Sequence, residues 1–426
     1  MSGSFVFVSA VCPYPADSGK KVFIGGLLRY AIEKLGPKKV NYLLIGSLDA
    51  EKTRNFQGKF GINVIHVGRV RTGEVLRNVL YSFLEENPKS FQECVLFSRT
   101  IRKTLFDKIR EINPSIVIMD TIRIGQYFES ERPLSAKYIL YMEDLFSVRY
   151  KRMLESSSDQ GVLNAAGNFI SNIPLVFRGL LNSKMVERIL LNIELKRVSK
   201  RESLMPGKFD LNLLLNKDDV DRMHELFPTS LVQHVPPLFQ LSPTIERLWD
   251  GKPFFVFIGD LKVSENSVSL EVFLKKCLKP TLAKIPDFKL FIIGKGIPPS
   301  LRMLVDEYPK NLEYLGFVED IDNILSKSAA MLIPMLYGSG IRFKALDAFV
   351  RGLPVISTPL GVEGLGLDDL DVCLISKRIE EMPDLITASL DQKTNLIYSN
   401  KGRRYFSEKF SFKWVSGLYD SILESR

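Results

Sequence analysis

Along most of the chain, short apolar runs alternate with stretches whose apolar residues recur every three or four positions. Phe5 to Val11, Val40 to Ile45, Asn63 to Val67, Ser115 to Asp120 and Leu211 to Leu215 have the near-continuous apolar character of parallel strands covered on both faces. Between them, Val22 to Leu35 and Ser98 to Glu111 carry helical periodicity, and the run YILYM ends at Glu143-Asp144. Strand and helix alternating in this way predict an α/β fold with an open, doubly wound sheet.

The same rhythm restarts after the stretch HVPPLFQLSPTIERLWDGKP, whose prolines mark an interdomain hinge. FFVFIG, Lys289 to Ile293, Leu312 to Val318, Met331 to Met335 and Pro354 to Thr358 read as strands, with a helix predicted from Ile341 to Arg351. Gly352, with Pro354 two residues on, supplies its stop signal. The expected organisation is a first domain over 1–235, a second over 252–405, and a closing segment over 406–426, which resembles the closing helices of a known family whose last helix crosses back onto the first domain. In that segment, Trp414, Leu418 and Ile422 have the spacing of a packing stripe. Only 156–200 breaks the pattern. There, Ile173, Val176, Phe177 and Leu180, then Val186, Ile189, Leu190 and Ile193, fall on helical faces with Arg178, Lys184, Arg188, Lys196 and Arg197 between them. Two readings are open: a helical insertion packed on the first domain, and a basic amphipathic segment lying on a membrane.

Composition narrows the class without choosing a function. A chain of 426 residues is too long for one core and suits two domains. A net charge of +9 is a modest excess on that length, and the bases are dispersed, so no nucleic-acid stripe is indicated. Cys12, Cys94, Cys277 and Cys373 lack metal-ligand or disulfide-framework spacing, and no apolar stretch approaches a membrane span. MSGS passes directly into the first strand without signal-peptide features, so the expected setting is cytoplasmic, with the inner face of a membrane left open.

Chemistry concentrates between Met331 and Gly364. Gly338-Ser339-Gly340 separates a strand from a helix whose first turn carries Arg342 and Lys344, and Gly361 and Gly364 open the loop after the next strand. Cations are unfavourable at a helix N-terminus, where backbone N–H groups already point outward; a bound anion reverses the sign. Glycine loop, helix start and two cations together make a phosphate cage, against the plainer reading of a solvated helix end. Earlier in the chain, Gly19 with Lys20 and Lys21 can present donors and charge, or form an ordinary turn with surface lysines. Glu143 and Asp144 stand at a strand's carboxyl end, where open sheets bind ligands, although a helix cap equally explains Asp144. His66, His224 and His234 lie outside these loops and are expected to be structural; a general base, were one needed, would come from Asp17, Glu143 or Asp144.

The segment PMLYGSGIRFKALDAFVRGLPVISTPLGVEGL resembles the donor-binding segment of family 4 glycosyltransferases, in the subgroup reading G-S-G-x-R-x-K. The resemblance is dense from Phe254 to Leu365 and looser before Val235. It implies a GT-B architecture, two Rossmann-like domains facing a cleft. It also implies transfer of a hexose from a nucleotide diphosphate sugar to a saccharide or lipid-linked acceptor in polysaccharide synthesis of the capsule or O-antigen type. Retention of configuration and no metal or other cofactor follow from the same resemblance, while peripheral membrane contact is left open by the 156–200 segment. On it, Arg342, Lys344 and the N–H groups of Gly338, Ser339 and Gly340 take the diphosphate. Asp347 takes the ribose, Gly294, Phe317 and Val318 face the nucleotide, and Gly19 and Lys20 face the donor phosphates. Gly259 and Asn266 are retained, Glu265 replaces a proline, and Asp260 and Asn266 occupy the places of a missing Arg/Lys clamp. Ser339 stands where relatives carry a sugar-binding acid; Glu363, then Glu143, are the candidate replacements, and Glu143 and Asp144 join Arg342 and Lys344 as catalytic candidates. A catalytically silent nucleotide-sugar-binding or scaffold subunit is the alternative. Base, sugar, acceptor, linkage and oligomeric state are not specified by the residues.

Overall fold

The computed structural model describes residues 3–16, 18–47, 49–160, 184–228, 231–239, 246–338, 341–367 and 371–424. They form two compact units. The first holds residues up to Leu154, those from 184 to 239 and those from Val415 to Glu424; the second holds chiefly those from 246 to Trp414.

In the first unit the chain runs β1 (Ser4–Ser9), α1 (Gly19–Leu35), β2 (Val40–Ile45), α2 (Ala50–Phe60), β3 (Asn63–Gly68), α3 (Thr72–Ser82), α4 (Phe91–Leu96) and α5 (Arg99–Ile112). It continues through β4 (Pro114–Asp120), α6 (Thr121–Gly125), β5 (Lys137–Glu143), α7 (Phe146–Gln160), α8 (Lys184–Leu204), β6 (Leu211–Leu214), α9 (Lys217–Leu226) and β7 (Val232–His234). The strands lie parallel in the order β3-β2-β1-β4-β5-β6-β7, so the winding reverses between β1 and β4. Val6, Val8, Val117, Met119 and Leu140 are fully buried because helices cover both faces, which is why these strands read as unbroken apolar runs. Gly26 on α1 has a packing reason: a Cβ there would sit 1.8 Å from the carbonyl oxygen of Leu238, just past β7.

The second unit runs β8 (Phe254–Ile258), α10 (Ser264–Lys284), β9 (Lys289–Ile293), α11 (Pro299–Glu307), β10 (Leu312–Gly316), α12 (Asp322–Lys327), β11 (Ala330–Ile333) and α13 (Phe343–Val350). After β12 (Val355–Ser357) and β13 (Leu374–Ile375) come α14 (Met382–Ala388), α15 (Gln392–Lys409) and α16 (Phe412–Glu424), the last of which belongs to the first unit from Val415 onward. Its strand order, β10-β9-β8-β11-β12-β13, places the reversal between β8 and β11. Two parallel, doubly wound α/β sheets are thus present, as expected.

Two expectations about helix faces need correction. On α16 the buried residues are Val415, Tyr419 and Leu423, whereas Trp414 is 40% exposed and Leu418 and Ile422 are half-buried. The true stripe is one residue later; Tyr419 packs against Tyr30 of α1, and Asp420 accepts from Tyr30 and Lys34. On α8 the inward residues are Leu191, Glu194, Arg197, Val198, Arg201 and Glu202, while Ile189 is exposed and Val186, Leu190 and Ile193 are only half-buried. Charged groups face inward because they have specific partners. Glu194 accepts the backbone N–H of Phe91 at 2.7 Å and Glu202 that of Ser147 at 3.3 Å, so α8 caps the starts of α4 and α7. Arg201 forks onto Glu93, with Nη2–Oε1 at 2.7 Å, and also holds Glu129. The other expected helical face, Ile173 to Leu180, lies outside the described residues.

Arg201→Leu strands the fully buried Glu93 carboxylate and should destabilise the first unit by about 3–5 kcal/mol, read from urea denaturation. Burial pushes the Glu202 carboxyl up to about 8 and that of Glu194 up to about 7. A carboxyl raised on folding contributes stability that is present below its unfolded value and lost as pH rises through the folded one. The denaturation midpoint should therefore fall between about pH 5 and about pH 8, and Glu202→Gln should flatten that slope.

Candidate functional site

Open parallel sheets bind ligands beyond the carboxyl ends of their strands, where the winding reverses. In the second unit that point is shaped by glycine. Gly259 follows β8 and its N–H donates to the Ile293 carbonyl at 2.9 Å, and Gly294 follows β9 at φ +150. A Cβ on Gly294 would fall 1.8 Å from the Gly259 carbonyl oxygen, so only glycine allows the two strand ends to close. β11 leads to Gly338, at φ +115, and then to α13.

Arg342 caps α13 and Lys344 is its second residue, so the helix begins two residues later than the periodicity predicts. Both side chains turn inward. Arg342 is 8% exposed; its Nε donates to the Leu360 carbonyl at 3.1 Å and its Nη1 lies 3.7 Å from Glu265. Lys344 donates from Nζ to Asn266 Oδ1 at 2.8 Å and rests 5.1 Å above the Phe257 ring. Asn266 in turn donates to the Asp260 carbonyl at 3.0 Å, tying the loop after β8 to the start of α13. Burial, and then the neighbouring Arg342 charge, push the Lys344 ammonium down to about 7, with Glu265 opposing. Two cations therefore share one end of the sheet, and the charge of Arg342 disfavours that of Lys344.

The remaining candidates of this unit are more scattered in role. Asp347 is ion-paired to Arg351, which also reaches Asp322 at 2.9 Å, and burial raises its carboxyl. Asp260 is exposed and caps its own turn through the Lys262 N–H at 3.0 Å. Phe317 and Val318 fall just beyond β10 rather than within it; Phe317 is 56% exposed, with the Lys295 ammonium 4.3 Å from its ring centroid. Glu363 is half-buried in the loop three residues past Leu360. Ser339 and Gly340 lie outside the described residues, as does Asp17.

The corresponding point of the first unit, between β1 and β4, carries an ion cluster. Lys20 Nζ, on the first turn of α1, lies 2.9 Å from both Asp120 at the end of β4 and Glu143 at the end of β5. Ser9, ending β1, donates to the other Asp120 oxygen at 2.5 Å. The Lys20 ammonium is thus matched by two carboxylates, where the reading of Gly19-Lys20 expects charge presented outward. Gly19 is the first residue of α1. Glu143 and Thr121 both hold left-handed backbone, φ +73 and +68, a cost of about 1–3 kcal/mol each that tends to concentrate at functional sites. Asp144 pairs with Arg149 at 2.6 Å, and it is Glu202 of α8 that accepts from the first turn of α7. The three histidines bond backbone carbonyls: His66 to Gly46, His224 to Val232 and His234 to Leu215. Sequence reasoning missed Asp120 and Ser9 as part of this cluster; their position at the two ends flanking the reversal was the available signal.

Residues 252–391, within the second unit, match the family model described as glycosyl transferases group 1. A 44.6 kDa protein of the cps region of Klebsiella pneumoniae is 29% identical over 166 residues, 38% of this chain and 42% of that relative. The chain thus aligns with about two fifths of that curated relative's length. Among solved structures, TarM superposes at a TM-score of 0.70 with 9% identity, covering 100% of this chain and 99% of its own. Anabaena HepE, solved with UDP and glucose, gives 0.63 with 11% identity and 100% of both chains. The fold is that of GT-B glycosyltransferases, and the family resemblance expected from the glycine segment is found over the second unit.

A sugar nucleotide, whose phosphates keep constant charge near neutrality, should bind uniformly below about pH 7 and weaken about tenfold per pH unit above it as Lys344 deprotonates. Lys344→Met should bind more weakly and without that dependence; titration calorimetry across the range checks both.

Proposed function

We propose that the chain transfers a hexose from a nucleoside diphosphate sugar to a saccharide or lipid-linked acceptor, with retention and without a bound metal, in synthesis of a cell-surface polysaccharide. The observation that carries this reading is the inward pairing of Arg342 and Lys344 at the reversal point of the second sheet. As the bond from the anomeric carbon to the diphosphate oxygen breaks, negative charge accumulates on the leaving group. Two fixed cations and the glycine-loop N–H groups stabilise that charge more than they stabilise the intact donor, which lowers the barrier. The acceptor hydroxyl oxygen forms the new bond to that carbon, and its proton passes to the departing diphosphate oxygen; Glu143 and Asp144 are the carboxylates offered for the acceptor side. Asp347, Gly294, Phe317 and Val318 are assigned to the nucleoside end, Gly19 and Lys20 to the loop that faces the donor phosphates and the acceptor.

The group 1 domain and the cps-region relative support donor class and pathway type. The lipid-linked acceptor rests on the family resemblance, and work at the inner face of a membrane on the basic amphipathic reading of 156–200; among the described residues no helix is long and apolar enough to cross a membrane.

A thermal-shift panel of UDP, GDP, dTDP and ADP sugars should single out one base, with about 2.7 kcal/mol of stabilisation at a hundred times the dissociation constant. Slow release of nucleoside diphosphate from that donor, in buffer containing EDTA, should fall by about 10²–10³ in Arg342→Ala. A flat panel removes the donor reading, and binding without any release leaves a silent subunit.

A further inference from the structure

Glu265 opens α10, and its carboxylate points into the cation site. A Cβ built on Gly338 would lie 2.7 Å from Glu265 Oε2, so the acid presses on the glycine loop itself. Its distance to Arg342 Nη1, 3.7 Å, is too long for a hydrogen bond, and its side chain is only 17% exposed. Among the described residues no donor hydrogen-bonds this carboxylate, although a mostly buried anion ordinarily requires such partners. The second position of a helix suits an acid, which accounts for its presence at the first turn but not for its direction.

Resting on the donor reading above, we propose that Glu265 accepts hydroxyl groups of the transferred sugar, and that the donor sugar is therefore an uncharged polyol rather than a uronic acid. The chemistry divides the site by sign. Phosphates are repelled by Glu265 and held by Arg342 and Lys344; sugar hydroxyls are donors, which the cations cannot accept and a carboxylate can. A sugar bearing its own carboxylate brings a second anion against Glu265 at close range. Glu265 is thus a specificity-determining residue for the sugar, supplied from α10 and not from the loop that holds the diphosphate.

The test uses the full chain and whichever pair stabilises it, UDP with UDP-glucose, GDP with GDP-mannose, dTDP with dTDP-glucose or ADP with ADP-glucose, titrated calorimetrically. Wild type should bind the sugar conjugate about tenfold tighter than the bare diphosphate. Glu265→Gln should abolish that increment without weakening the bare diphosphate, which loses a repelling charge, and Glu265→Asp should keep part of it. Where UDP is the base, UDP-glucuronate should bind wild type more weakly than UDP-glucose, and Glu265→Gln should narrow the gap. Equal change for diphosphate and conjugate in both variants overturns the assignment and leaves the donor reading intact. Wild type that binds no diphosphate overturns the donor reading and the assignment together.

Discussion

Two positive charges held side by side at a helix N-terminus, largely out of water, are an unstable combination unless something negative completes them. Arg342 and Lys344 are placed so by backbone geometry: the glycine-closed ends of β8 and β9 leave room, and the Leu360 carbonyl and Asn266 amide oxygen orient the two heads. Among the described residues the Glu265 carboxylate stands 3.7 Å from Arg342. The depressed Lys344 ammonium is the cost of this arrangement, and the proposed diphosphate would offset it.

The first unit solves the opposite problem. At its reversal point one ammonium meets two carboxylates, and deeper in, Arg201 meets Glu93 and Glu129. In both clusters carboxylates outnumber the cation they share.

Much of the fold was legible because parallel strands covered on both faces leave an unmistakable apolar run, and because Gly352, at φ +66, ends α13 where its type predicts. The cations of the second unit were legible as a local contradiction, bases at the wrong end of a helix. What escaped were groups whose meaning arises from contacts distant in sequence. Glu265 reaches Arg342 across 77 positions, and Asp120 reaches Ser9 across 111. On α8, hydrophobic periodicity pointed to the wrong side because Glu194, Arg201 and Glu202 find buried partners, a preference no periodicity encodes. On α16 the apolar residues of two adjacent faces compete, and the aromatic Tyr30 decides in favour of Tyr419.

Gly26 shows how narrow a single tolerance can be. Where α1 meets the carbonyl of Leu238, backbone touches backbone, so the route by which the polypeptide departs from the first sheet is set by the absence of one methyl group. Alanine at that position would have to push the segment after β7 aside or shift the helix that carries Lys20. A kindred protein with a bulkier residue there must have moved one of the two, which makes this position a marker for sorting homologues by how closely that helix meets the end of the first sheet.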